Sequence, residues 1–159
     1  MYYLAADPND FIFTNNLKVC KGIFASPSHM REVDENLNGM VSPYEIMHAD
    51  REKEAVFENV RATYYQHLPS RMGAIYLFQD YKAALLANER WWGNGRKLHE
   101  TIILDGSIFM VVDSEWLNCT ADAYKANAHN YFQGKTTDVP LVEVVVKGVV
   151  KVSLEPVNA

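Results

Sequence analysis

Residues 68–100, LPSRMGAIYLFQDYKAALLANERWWGNGRKLHE, constrain the fold more than any other stretch of the chain. They read as a bend, a short strand, a capped helix, a glycine break and a second strand. Leu68-Pro69-Ser70-Arg71 makes the bend, and residues 74–78, AIYLF, make the strand. Asp80 is placed to cap the following helix, within which Ala83, Ala84 and Ala87 are small, helix-favouring residues. Gly93-Asn94-Gly95 ends that helix, and residues 97–104 return as a strand.

On either side of this stretch the pattern is mixed. Residues 1–6 form an aromatic and apolar strand stopped by Asp7-Pro8-Asn9-Asp10, which is strong turn chemistry. Residues 11–13 and 17–24 are apolar but interrupted, and fit short strands or a strand and a turn. Residues 25–41 lack periodicity, and Asn36, Asn38 and Gly39 suggest a surface loop, long enough to imply function or mobility. Ser42-Pro43-Tyr44-Glu45 is a helix start, and the helical pattern runs on to His67 with a break near Asp50. On that helix Ala55, Val56, Val60 and Tyr64 are expected to face the core, and Glu52, Lys53, Glu54, Glu58 and Arg61 the water. Asp105-Gly106 between residues 97–104 and 108–112 is the strongest hairpin signal. Thr120 opens a helix with Ala121, Tyr124, Ala128 and Tyr131 on one stripe. Residues 141–146 and 149–154 are expected to pair around Lys147-Gly148. The order implies a single α+β domain over residues 1–159, with antiparallel β layers framing a cleft and helices packed outside.

Composition narrows the function classes. A formal charge of −5 argues against a protein that coats nucleic acid by neutralising phosphates, although one local pocket for a nucleic acid stays open. No apolar run reaches membrane-spanning length and the N-terminus lacks a signal-peptide pattern, so no membrane partner is expected. Cys20 and Cys119 imply neither a disulfide framework nor a zinc site, and a reduced, cytoplasmic setting is expected. His29, His48, His67, His99 and His129 have no metal-ligand spacing, so no metal is expected.

Glu143 is the sharpest chemical candidate, as the only charge in the strand segment PLVEVVV. A carboxylate there could bond a ribose hydroxyl and stabilise positive charge as a glycosidic bond breaks; the alternative is a solvent-facing edge position paired with Lys151. Tyr76 could stack on a base or simply pack in the core. Arg71 could fork onto a pyrophosphate or lie on the surface. Tyr2 and Tyr3 alternate across the first strand, so one faces inward, to bound a pocket or fill space. Asp113 is a weaker candidate, with a turn or cap role as its alternative. Trp91-Trp92 is expected to seal the core rim.

Several of these pieces together resemble the ADP-ribosyltransferase-like superfamily, in particular a bacterial and phage branch known as a domain of unknown function. The resembling segments are Phe57-Glu58-Asn59-Val60-Arg61, Leu68-Pro69-Ser70-Arg71, Ile75-Tyr76-Leu77-Phe78 and Leu98-His99-Glu100, then residues 113–117, 128–134 (AHNYFQG) and 142–152 (VEVVVKGVVKV). Their order along residues 55–154 carries the resemblance more than any one motif. It implies NAD as substrate and no metal, Tyr76 against the nicotinamide side, Arg71 on phosphate and Glu143 driving departure of nicotinamide. It also implies a histidine or arginine in the first strand to fix the ribose; this chain has Tyr2 and Tyr3 there instead. Leu141 stands two before Glu143, where arginine-modifying members carry an acidic or amide residue, so an arginine acceptor is not indicated.

Two functions follow from the residues and the resemblance. One is an enzyme that moves ADP-ribose from NAD to a protein, nucleic acid or small acceptor. The other is a nucleotide-binding or partner-binding protein, an inhibitor for example, on the same scaffold without turnover. An acidic mimic of nucleic acid is disfavoured because the charges are mixed along the chain.

Overall fold

The computed structural model describes residues 1–47 and 50–157. Among them, β1 (Tyr2–Ala6) is followed by α1 (Phe11–Val19), β2 (Ile23–Ala25), α2 (Pro27–Val33), α3 (Pro43–Met47) and α4 (Arg51–Tyr64). Then come β3 (Ile75–Phe78), α5 (Tyr81–Trp92), β4 (Lys97–Ile103), β5 (Ile108–Asp113), α6 (Tyr124–Phe132), β6 (Val142–Lys147) and β7 (Val149–Val152). The fold is α+β, with a seven-stranded sheet in the order β2-β7-β4-β1-β3-β6-β5 and every described pairing antiparallel. No helix among the described residues is long and apolar enough to cross a membrane.

The strand–helix–strand reading of residues 68–100 holds closely. Asp80 accepts from the Ala83 N–H at 2.8 Å and caps α5, and Gly93 ends it in the left-handed conformation. Ala84 and Ala87 are fully buried against Phe78, Leu98 and Leu141, so small residues let α5 lie close on the sheet.

The N-terminal third departs from expectation. Residues 11–19 are a helix because Asp10, read as part of a turn, accepts from the Phe13 N–H at 3.0 Å and caps it. The expected loop at 25–41 contains α2, started by Ser26-Pro27 with the Ser26 hydroxyl accepting from the His29 N–H at 3.2 Å. Ser42 and Glu45 then form the anticipated reciprocal cap, with Ser42 N–H donating to Glu45 at 2.6 Å and Glu45 N–H donating to Ser42 at 3.2 Å. The face of α4 is turned from the expected one: Glu54, Phe57 and Val60 are buried, while Ala55 and Tyr64 are exposed.

Neither expected hairpin forms. Residues 105–106 make a turn, but β4 pairs with β1 and β7, whereas β5 pairs with β6. Likewise β6 and β7 do not pair with each other; they are consecutive pieces of one strand that changes neighbours at Gly148. The chain therefore runs β4–β5 antiparallel to β6–β7, and both strands cross between the two halves of the sheet. Those halves pack face to face through Leu77, Val144 and Val146 on one side and Val150 and Val152 on the other. Between them β1 and β3 share a single register pair, Tyr3↔Phe78, so the two strands splay and leave a cleft.

Gly148 makes the crossing possible. Its φ is +147°, its N–H donates to the Ser26 hydroxyl at 3.0 Å, and its carbonyl accepts from the Ser26 N–H at 2.8 Å. A Cβ there would stand 2.7 Å from the Ser107 Cα, a backbone atom with no room to yield. Gly148→Ala should lower unfolding free energy by about 2 kcal/mol or more, and Gly106→Ala, whose Cβ meets nothing within 4 Å, by about 1 kcal/mol. Urea unfolding of both variants checks this; equal losses would show that the crossing is not tightly packed.

Candidate functional site

The site is assembled around one buried side chain. The bend at residues 68–71 is held by α4: Arg61 pairs with Glu58 at 2.7 Å and donates to the Leu68 carbonyl at 3.0 Å, and Ser70 donates to Glu58 at 2.8 Å. This clamp turns Arg71 inward, where it is only 5% exposed. Its Nε–H donates to Glu54 at 3.1 Å; Nη1 donates to Glu143 Oε1 at 2.9 Å and to the Tyr131 hydroxyl at 2.6 Å. Nη2 donates to the Tyr44 hydroxyl at 2.7 Å and to Glu54 at 3.3 Å. All five N–H donors of the guanidinium thus have protein acceptors.

The two carboxylates are served alike. Tyr131 donates to Glu143 Oε1 at 2.8 Å, and Tyr44 donates to Glu54. The guanidinium also lies over the rings of Tyr44, Tyr76 and Tyr131, at 5.3–5.4 Å from their centroids. The Tyr76 hydroxyl donates to the Arg71 carbonyl at 2.6 Å, which fixes the bend from the strand side. Burial pushes the Tyr44, Tyr76 and Tyr131 hydroxyls above the ordinary phenol range, against the opposing pull of Arg71, so they remain neutral donors. Burial alone would lower the Arg71 pKa, but the surrounding tyrosines and the carboxylates of Glu143 and Glu54 outweigh it and raise it.

Glu143 is not a wet edge position. It is 5% exposed on the interior strand β6, opposite Phe78 on β3 and Val112 on β5. Lys151 lies elsewhere, opposite Ile23 and Ile102. Both hydrogen bonds to Glu143 fall on Oε1; Oε2 receives none from the described residues. Glu143 and Arg71 form part of the wall of a cavity of about 620 Å³ within the splayed cleft. Leu4 and Ala5 of β1, Ile75, Tyr76 and Phe78 of β3, and Trp91 and Trp92 of α5 contribute further wall.

The structure therefore brings Arg71, Tyr76 and Glu143 to one cavity. Tyr3 instead packs beside Tyr81 at 5.4 Å and Tyr2 beside Phe109 at 6.1 Å, and the first strand meets the cavity through Leu4 and Ala5. Asp113 is occupied elsewhere, accepting from the Thr137 N–H and hydroxyl, each at 2.7 Å, and from the Glu115 and Leu141 N–H groups, each at 3.0 Å. Burial works to raise its carboxyl pKa, but these bonds prevail and hold it below the ordinary value. Trp91 and Trp92 do more than seal the rim, since both line the cavity. His48 lies outside the described residues, and these contain no cluster of metal-ligating side chains.

Three site residues were not singled out from sequence: Glu54, Tyr44 and Tyr131. Phe57 holds the signal for Glu54. Taking the largest apolar residue of α4 as the centre of its buried face puts Glu54 and Val60 beside it at helical spacing. Tyr131 lies within the AHNYFQG segment but reads from spacing alone as core.

Replacing Arg71 by Met should cost about 3–5 kcal/mol of stability, because Glu54 and Glu143 would be left buried without their cation. Adding Glu54→Gln to that variant should recover part of the loss. Denaturant unfolding measures both, and a loss below about 1 kcal/mol for Arg71→Met would mean that the cluster is open to water.

No curated protein matches the chain. Over residues 11–159, which include every member of the Arg71 cluster, it matches the family described as a protein of unknown function, DUF2441, and the chain belongs to that family.

Proposed function

We propose that the cleft is the active site of an ADP-ribosyltransferase that takes NAD as donor and modifies a macromolecular or small acceptor. One observation carries the proposal: a carboxylate 5% exposed stands in the wall of a largely apolar cavity, with one oxygen pinned by Arg71 and Tyr131 and the other receiving no hydrogen bond from the described residues. Fixed negative charge in such a place is most effective where positive charge develops at a ribosyl carbon. In the reaction the bond from that carbon to the nicotinamide nitrogen breaks and its electron pair leaves with the ring. A nucleophilic oxygen or nitrogen of the acceptor then forms the new bond and gives up its proton. The cavity volume suits part of such a donor.

A non-catalytic binding protein is the second reading, and the state of Arg71 favours it. Its donors are already taken, and Leu4 and Ala5 offer no polar side chain for a ribose.

Nicotinamide release from NAD separates the two. Glu143→Gln keeps an acceptor for Arg71 and Tyr131 but loses the charge, so the transferase reading expects release to fall by about a hundredfold or more. A melting curve controls for folding. Equal release by both proteins would remove Glu143 from the mechanism, and NAD binding without release would favour the binding protein.

A further inference from the structure

We propose that the cavity, beside Glu143, selects an organic cation carried on a flat apolar body and disfavours phosphate at that point. This ligand class follows from the cavity wall itself and does not depend on the ribosyl-transfer reading. Charge is the first ground. Glu54 and Glu143 share the single guanidinium of Arg71, which leaves a formal excess of one negative charge beside the cavity. Arg71 is the one cationic side chain among the described lining residues, and its five donors are occupied within the protein. Among the described lining residues a phosphate would meet Glu143 and no free cation, whereas a cation would meet a carboxylate with one oxygen that receives no hydrogen bond from them.

The walls are the second ground. Phe78 stands directly across the strands from Glu143, with the rings of Trp91 and Trp92 at 6.0 and 6.4 Å from it. Tyr44 and Tyr76 also line the cavity, their rings 5.2 Å apart and each with the Arg71 guanidinium over one face. Aromatic faces attract organic cations and offer nothing to a phosphate. Trp91 is still 43% exposed, so a bound flat body would cover surface that folding leaves wet.

Isothermal titration of the full chain with benzamidine, benzamide and adenosine monophosphate tests the inference. Benzamidine and benzamide share a shape and differ by one charge. Benzamidine should bind at least about tenfold more tightly than benzamide, and the nucleotide should bind more weakly than either. Glu143→Gln should bring benzamidine to within about twofold of benzamide. Should that variant fail to fold, Trp91→Ala at the rim should weaken benzamidine about fivefold or more. Equal affinity for the two probes, no benzamidine binding, or tighter binding of the nucleotide would each overturn the inference. Benzamidine selectivity without nicotinamide release from NAD would sustain it and retire the transferase reading. Turnover of NAD that adenosine monophosphate inhibits and benzamidine does not would overturn it and leave the transferase reading in place.

Discussion

A buried guanidinium must find an acceptor for each of its donors, and at Arg71 they come from four separate elements: Tyr44 of α3, Glu54 of α4, Tyr131 of α6 and Glu143 of β6. None of these is close to Arg71 in sequence, so the cluster can form only when two helices, a strand and the short α3 turn have docked. The energy of such a cluster is conditional. Complete, it offsets the desolvation of three charges; with one partner missing, it leaves a buried charge exposed to a poor dielectric. This makes it a stronger determinant of geometry than of net stability. Its functional result is that Glu143 is held by one oxygen and presented to the cavity by its side-chain position.

The sheet supplies the space in which that geometry matters. Because both the β4–β5 and the β6–β7 strands cross from one half of the sheet to the other, the halves face each other while β1 and β3 splay at the centre. Residues 76, 78 and 143 then share the face covered by α4, α5 and α6, while Leu77, Val144 and Val146 share the face turned toward β7. A one-residue slip of β6 would exchange Glu143 for Val142 or Val144 and destroy both the core and the charge cluster.

How far the sequence revealed this depended on the range of the interactions. Local chemistry was legible: the Asp80 cap, the small residues of α5, the Gly93 stop and the reciprocal cap of Ser42 and Glu45 depend on neighbours a few residues away. Asp10 was read as a turn residue and Ser26 was passed over within the expected loop, because such side chains serve a turn and a helix cap equally well and the apolar residues after them lack a clear period. Asp105-Gly106 and Lys147-Gly148 do turn or bend the chain, but strand partners are chosen by packing across the whole sheet, which a dipeptide does not encode. The same limit applies to the site. Glu143, Tyr76 and Arg71 stood out as a charge in an apolar strand, an aromatic beside a helix and an arginine at a bend. Glu54 did not, since a glutamate on a helix with Glu52, Lys53 and Glu58 reads as solvent-facing until Arg71 is brought against it.

Side-chain nitrogen NMR of the arginines addresses the Arg71 cluster directly. If all five donors of Arg71 are engaged by Glu54, Glu143, Tyr44 and Tyr131, the Nε–H proton should exchange slowly with solvent and the four Nη protons should give separate signals from hindered rotation. The two Nη1 signals should merge in the Tyr131→Phe, Glu143→Gln double variant, which weakens the hold on Nη1, while the two Nη2 signals stay apart. A single averaged Nη signal in the wild-type protein, with Nε–H exchange as fast as that of an exposed arginine, would contradict the account.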